Sequence, residues 1–330
     1  MNRIWILVVT VFLLLGLTGC AEQEQSLQII AMDTAMTFTA YGKGAEEAIQ
    51  DASVEVRRLD KLLSRTDENS VVSQLNTSNG TEVEAGEEVC ALLDASAGYT
   101  ASTNGAFDIT IAPVVSAWGF TTASHQVPDS AELEALLECV GMERLTLTEN
   151  TVVMEPDTQI DLGAIAKGYA SDRIADIFRE NKLERGWAAL GGNVLTWGTR
   201  PDKTPWVIGI QDPARPNDPN AYVGTVRLED AFAVTSGSYQ RFFEENGKTY
   251  HHIIDPATGC PADSGLMSVT IVADAAEGNG TMCDALSTAL FLLPMDAGQK
   301  LLDECGAEAM WVDAEGNMYY STGFEKLIRT

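Results

Sequence analysis

The sequence predicts an α+β fold, with mixed or antiparallel sheets and helices packed against them, in one catalytic-sized domain. Three observations carry this. Apolar residues recur at spacings of three and four in some segments and alternate in others, so helices and strands are both present. The two kinds of segment do not follow the regular strand–helix alternation of a doubly wound sheet. No internal repeat, low-complexity tract or long linker divides the chain, which leaves one domain over residues 27–330.

In chain order, Ile29 to Tyr41 mixes Thr with apolar residues and reads as a strand. Ala45, Ala48, Ile49, Ala52, Val56, Leu59 and Leu63 then draw one apolar stripe along a helix whose other face is charged. A second helix covers Glu87 to Ser102, and a third runs from a cap at Asp129 or Ser130 to Cys139. Short strands follow at 145–147 and 152–154, and Ile160 to Gly163 opens a helix that reaches Phe178. Further strands are expected at Trp206 to Gln211, Tyr222 to Leu228 and Leu266 to Ala273. A helix from Met282 to Leu292, a shorter one to Cys305 and a hairpin pairing 310–312 with 318–320 complete the chain.

The N-terminus precedes this domain with a different chemistry. Asn2 and Arg3 lead into the apolar run Ile4 to Gly16, too short for a comfortable membrane span, so residues 1–19 read as a signal peptide. Leu17-Thr18-Gly19-Cys20 reads as a bacterial lipobox, in which Cys20 becomes the new N-terminus and its sulfur receives diacylglycerol. The alternative is an ordinary signal peptide with a chance cysteine. Residues 20–26 are then the lipidated cysteine and a short polar tether, and the expected location is the extracytoplasmic face of the cell membrane. The formal net charge of −27 argues against nucleic acid as a partner and against a basic grip on anionic lipid, so acylation must attach the protein to the bilayer. The five other cysteines form no CxxC pair, which argues against zinc and against a dithiol redox centre.

Several constellations could carry chemistry. Asp284 and Thr288, four apart on one helix face, offer two hard oxygen ligands of the kind Mg²⁺ takes together with phosphate and water. An Asp near a helix start also serves as a cap. Asp161-Leu162-Gly163-Ala164-Ile165-Ala166-Lys167-Gly168-Tyr169 combines small residues, a helix N-terminus and a cation, which suits a phosphate and equally suits tight helix-on-sheet packing. Two of the three histidines, His251 and His252, stand beside an Asp-Pro turn, where one of them is a candidate acid or base and a surface hairpin is the alternative. A serine hydrolase built on Ser236 lacks the G-x-S-x-G elbow. Gly105 to Thr110, continuing to Trp118-Gly119-Phe120, offers an aromatic wall with a buried acid, and Leu190 to Asn193 brings bare backbone to a ligand.

In order, Met32-Asp33-Thr34, Ser70 to Asn76, Gly105 to Pro113, Asp161 to Tyr169, Leu190 to Asn193, Thr235-Ser236-Gly237, His252 to Gly259 and Asp284 to Thr288 resemble the ApbE family of flavin transferases. The resemblance spans nearly the whole mature chain and implies a T-fold-like single catalytic domain. It implies that FMN is moved from FAD to a Ser or Thr of an acceptor protein, with AMP released. It further implies that Asp284, Thr288 and the backbone oxygen of Ala164 hold Mg²⁺, and that FAD lies against Met32, Ala106, Phe107, Asp108, Asp161, Lys167 and His252. His252 is the leading candidate for the base, with Asp284 the second catalytic residue. The expected acceptor is an exported or membrane-bound flavoprotein subunit carrying a Ser/Thr target motif. Two departures stand out: Asp33 where family members often have Gly, and Thr66 where they often carry an aromatic. The rival readings are an FAD pyrophosphatase that yields FMN and AMP, and a non-catalytic flavin-binding lipoprotein.

Overall fold

The computed structural model describes residues 22–120 and 124–329, so the expected signal peptide and Cys20 lie outside it. Its first half contains β1 (Glu24–Ala31), β2 (Thr34–Tyr41), α1 (Ala45–Leu63), α2 (Val71–Asn76), β3 (Val83–Glu84), α3 (Glu87–Ser102), α4 (Ala112–Trp118), α5 (Ser130–Leu137), β4 (Leu145–Leu147), β5 (Thr151–Met154) and α6 (Ala166–Glu180). The second half contains β6 (Arg185–Leu190), β7 (Asn193–Trp197), β8 (Trp206–Gln211), β9 (Tyr222–Leu228), β10 (Ala231–Gly237), β11 (Phe242–Glu245), β12 (Lys248–His251), β13 (Leu266–Asp274), α7 (Asn279–Ala289), α8 (Met295–Cys305), β14 (Glu308–Asp313), β15 (Met318–Tyr320) and β16 (Ile328–Arg329). This is the α+β class expected.

Eight strands form one sheet in the order β1-β2-β6-β7-β10-β13-β14-β15, antiparallel throughout. Helices α1, α6 and α7 pack on one face, and the three-stranded sheet β16-β9-β8 covers part of the other. Alternate residues of the central strands therefore enter different cores. In β10, Phe232 and Val234 lie under the helices, while Ala231 and Ala233 face the small sheet; in β14, Trp311 does the first and Met310 and Val312 the second. Strands buried on both faces read as continuous apolar runs, whereas the edge strand β1 keeps the exposed/buried alternation of a one-faced strand.

Several boundaries differ from the sequence expectation. The single strand expected over 29–41 is a hairpin, β1–β2, closed by Met32 and Asp33 at φ 47° and 57°. Two positive φ values make the primed turn that matches strand twist, and Asp tolerates that region better than most side chains. β1 also begins at Glu24, inside the segment expected as tether. Helices α1 and α3 keep their expected limits, and α5 is capped by Asp129, which accepts from the Glu132 N–H at 2.8 Å. Residues 160–163 form a loop ahead of α6 rather than its first turn, and α7 starts at Asn279 rather than Met282. The short helices α2 and α4 and the strand β10 have too few residues, or too uniform a burial, to show a period. All five cysteines other than Cys20 are unpaired. No helix among the described residues is long and apolar enough to cross a membrane.

A third, aromatic cluster positions the histidine loop. Trp118 and Phe120, at the end of α4, pack against Phe243 and Tyr250 of the β11–β12 hairpin, with ring centroids 5.3 Å apart for Trp118 and Tyr250. The Trp118 Nε1–H donates to the Gly259 carbonyl at 2.7 Å. The hairpin and the loop after it are thereby fixed to the helical part of the molecule.

Candidate active site

Hairpin turns converge at one end of the large sheet. Because β2 pairs with β6 through Met36 and Leu190, the Met32-Asp33 turn lies beside the Gly191-Gly192 turn. A Cβ on Gly192 would fall 2.5 Å from the Thr235 carbonyl, and Gly191 has φ 67° against Thr34, so this close approach requires glycine. The Gly192 carbonyl accepts from the Thr235 N–H at 2.9 Å, which ties the end of β10 to the same turn. The Met32 N–H donates to Asp60 of α1 at 3.0 Å, and the Asp33 carboxylate lies 3.8 Å from the Arg241 guanidinium.

The loop before α6 is fixed from two sides. Asn76 closes a pair of hydrogen bonds with Ile160, accepting from its N–H at 2.7 Å and donating to its carbonyl at 2.9 Å. The Asp161 carboxylate accepts from Arg65 at 2.8 Å through one oxygen and from the Gly163 N–H at 2.8 Å through the other, while the Asp161 N–H donates to the Ile109 carbonyl at 2.8 Å. The bonds to Arg65 and Gly163 hold the loop in the bent form that delivers Lys167.

Lys167 then reaches back. Its ammonium donates to the Gly163 carbonyl at 3.2 Å and stands 3.6 Å from Asp284 Oδ1. Asp284 is buried and mid-helix, so it does not cap its own helix. Instead its Oδ2 accepts from the Gly168 N–H of α6 at 2.8 Å. Because Gly168 is diverted to Asp284, no backbone N–H among the described residues reaches the Ala164 carbonyl. Asp284 Oδ1 already faces a positive charge, Thr288 stands one turn further along α7 on the same helix face, and the Ala164 carbonyl belongs to the loop that leads into α6. Among the described residues no three His, Cys, Asp or Glu surround a metal position, so a cation here would draw its remaining ligands from phosphate or water.

The two histidines have different surroundings. His251 Nε2 donates to the Ala262 carbonyl at 3.1 Å and its Nδ1 accepts from the Ile253 N–H at 3.3 Å, so both ring nitrogens are used within the fold. His252 contacts the Arg241 carbonyl through Nδ1 at 3.2 Å. A carbonyl only accepts, so Nδ1 carries the proton and Nε2 keeps its lone pair. Burial, and then the nearby Arg241 guanidinium, with Lys167 adding to them, push the His252 pKa down from 6.5 to about 4. The ring is therefore neutral at pH 7 and able to accept a proton.

The segment Ala106-Phe107-Asp108 is only partly as expected. Asp108 is held by the Thr110 N–H at 2.8 Å, and burial raises its pKa against that bond. Phe107 is 2% exposed and edge-on to Tyr99, so its ring belongs to the core and only its backbone could meet a ligand. The expected aromatic wall does not form: Phe107 lies in the main core and Trp118 and Phe120 in the third cluster. Ser236 bonds to Ser287 at 2.7 Å, not to a histidine.

Two strings of contacts thus join part of the expected set, Asp33 to Arg241 and Arg241 to His252 in one, Lys167 to Asp284 and Gly163 and Gly163 to Asp161 in the other, and the Lys167 charge is felt at His252. Arg65 and Asp172 were not anticipated, and Asn76 only as the end of the Ser70 to Asn76 segment, without a role of its own. Asp172 accepts from the Gly280 and Thr281 N–H groups at 2.8 Å, and its only sequence signal is the spacing Gly168-x-x-x-Asp172, repeated as Gly280-x-x-x-Asp284.

Residues 32–311 match the family model described as ApbE family. A protein of Klebsiella pneumoniae named FAD:protein FMN transferase is 34% identical over 248 residues, 74% of each chain. One of the same name from Treponema pallidum is 31% identical over 98% of this chain and 95% of its own length. The crystal structure of the ApbE protein of Thermotoga maritima superposes with a TM-score of 0.85 at 32% identity, covering 93% of this chain and 100% of that one.

Proposed function

The chain belongs to the ApbE family, and on that premise we infer its activity: it is an enzyme that transfers FMN from FAD to a protein. The observation that carries this reading on the molecule itself is the ion pair of Lys167 with Asp284 at 3.6 Å, near enough to a neutral His252 for the Lys167 charge to help lower that ring's pKa. A cation, an oxygen ligand set and a base are the three things that displacement at a pyrophosphate requires.

Asp284, Thr288 and the Ala164 carbonyl suit Mg²⁺, because each offers a hard oxygen, that of Asp284 being the one that already faces Lys167. When bound there, Mg²⁺ would neutralise charge on the phosphate oxygens. Lys167 adds a second positive charge at the same place. His252 Nε2 takes the proton of the acceptor Ser or Thr hydroxyl as that oxygen attacks the flavin-side phosphorus. The new bond is acceptor oxygen to phosphorus, the broken bond is the pyrophosphate bridge, and AMP leaves. Asp161, Met32, Asp108 and the backbone at 106–107 line the expected path of FAD, while the bonds of Asp161 to Arg65 and Gly163 leave it to accept from a ligand through its remaining lone pairs.

Cys20, as the lipidated residue of an exported chain, holds the enzyme at the extracytoplasmic face of the membrane beside acceptors that are exported or membrane-bound. The test is to incubate the purified chain with FAD, Mg²⁺ and an exported protein bearing a Ser/Thr target motif, followed by mass spectrometry. A mass increase of FMN on the acceptor supports transfer. Release of FMN and AMP with no modified acceptor would replace it with a pyrophosphatase, and unchanged FAD would leave a flavin binder.

A further inference from the structure

Helices α6 and α7 cap each other. Asp172 of α6 accepts from the second and third N–H groups of α7, Gly280 and Thr281, at 2.8 Å each, and from the Thr281 hydroxyl at 2.5 Å. Asp284 of α7 accepts from the third N–H of α6, Gly168, at 2.8 Å. Both carboxylates are buried, and each neutralises donors that a helix leaves without intrahelical partners.

The arrangement is a closed ring. One helical turn, about 6 Å, separates Gly168 from Asp172 along α6, and one turn separates Gly280 from Asp284 along α7. The two cross-links join the ends of these turns, so neither helix can slide along the other without breaking a charge-assisted bond. The crossing is as close as backbones permit: a Cβ on Gly168 would lie 2.3 Å from the Gly280 carbonyl, and one on Gly280 would lie 2.7 Å from the Gly168 carbonyl.

We propose that Asp172 is a positioning residue for the reaction: by fixing the register of α7 against α6, it keeps Asp284 Oδ2 on Gly168 and so leaves Oδ1 and the Ala164 carbonyl directed to the cation. This rests on the metal reading given above. Asp172 spends its carboxylate on Gly280 and Thr281 and is therefore assigned no direct contact with FAD or metal. Its removal leaves the Gly280 and Thr281 N–H groups of α7 without their acceptor and frees α7 to shift, and Asp284 shifts with it.

The test titrates Mg²⁺ against the full chain and its Asp172→Ala and Asp172→Asn variants, read as the rise in melting temperature without substrate and as FMN transfer. The expected result is a midpoint raised about tenfold for Asp172→Ala and less for Asp172→Asn, with transfer recovered at saturating Mg²⁺. A variant that melts lower yet keeps its Mg²⁺ midpoint within about twofold of the parent would overturn the proposal, leaving Asp172 a purely structural cap. If Asp172→Ala does not fold, Thr281→Val removes the hydroxyl bond alone and should move the midpoint the same way by less; an unmoved midpoint counts against the proposal. Should the parent chain show no Mg²⁺ response at all, the metal reading fails instead. Asp172 is then judged by hydrogen exchange at Gly168: faster exchange in Asp172→Ala sustains its fixing of the α6–α7 register alone, and unchanged exchange removes that too.

Discussion

Arg65 and Asp161 stand 96 residues apart in the chain and 2.8 Å apart in space, joined by a hydrogen-bonded ion pair at the edge of the site. Arg65 follows α1 and Asp161 precedes α6, so the pair ties the end of one helix to the loop that presents Lys167. With the side chains 19% and 18% exposed, water screens the pair only in part, and a charge-assisted bond of this kind contributes about 1–2 kcal/mol.

Replacing Arg65 with Met should therefore weaken FAD binding more than it slows the chemical step. Steady-state kinetics should show KM for FAD raised about tenfold with kcat changed much less. A fall in kcat with KM unchanged would mean that Arg65 acts on the transition state.

His252→Gln should lower the transfer rate about 10²–10⁴-fold, whereas His251→Gln should chiefly lower the melting temperature, because His251 spends both ring nitrogens on backbone groups. The pH dependence has a definite sign. The folded state holds the His252 pKa at about 4, below its ordinary 6.5, so the folded protein binds this proton less readily than the unfolded chain. The stability this contributes is present above pH 6.5 and is lost as pH falls through 4. Acidification from 6.5 to 4 should therefore lower the melting temperature of the parent more than that of His252→Gln.

Asp284→Ala should abolish transfer and the response to Mg²⁺, and Thr288→Val should raise the Mg²⁺ requirement about tenfold, since one hydroxyl ligand is lost while the carboxylate remains. A chelator should stop the reaction. Transfer that persists with chelator present would remove the metal from the mechanism.

Gly168→Ala places a methyl 2.3 Å from the Gly280 carbonyl and 2.6 Å from Asp284 Cβ, in a crossing formed by backbone that cannot rotate away. Urea titration should show about 3 kcal/mol of lost stability. Gly98, whose added Cβ meets nothing within 4 Å, is the control, and Gly98→Ala within α3 should be neutral or mildly stabilising.

Cys20→Ala should release the protein from the membrane fraction to the soluble fraction on cell fractionation. Retention of the variant on the membrane would assign attachment to another part of the chain.

Local pattern was enough to locate the helices α1, α3 and α5, several strands and the mixed α+β class, because burial on one face repeats with the period of the backbone. It also marked Asp161, Lys167, His252 and Asp284, since glycine-rich loops, helix starts and paired polar residues are written in contiguous residues. It could not show that 29–41 folds back on itself, because a two-residue turn without Gly or Asn looks like more strand. Nor could it show that Phe107 and Trp118 fill cores, since aromatic residues look alike in sequence whether they line a cleft or a core.

The remaining decisions belong to contacts between distant segments. Which histidine keeps a free nitrogen depends on Arg241 and Ala262 meeting the rings, and whether Asp284 caps its own helix or another depends on how closely α6 and α7 cross. Asp172, Asn76 and Arg65 acquire their roles from partners 84 to 109 residues away. Periodicity and motif report what a residue does within its own element, whereas hydrogen bonding, desolvation and close backbone approach depend on what the topology sets opposite it.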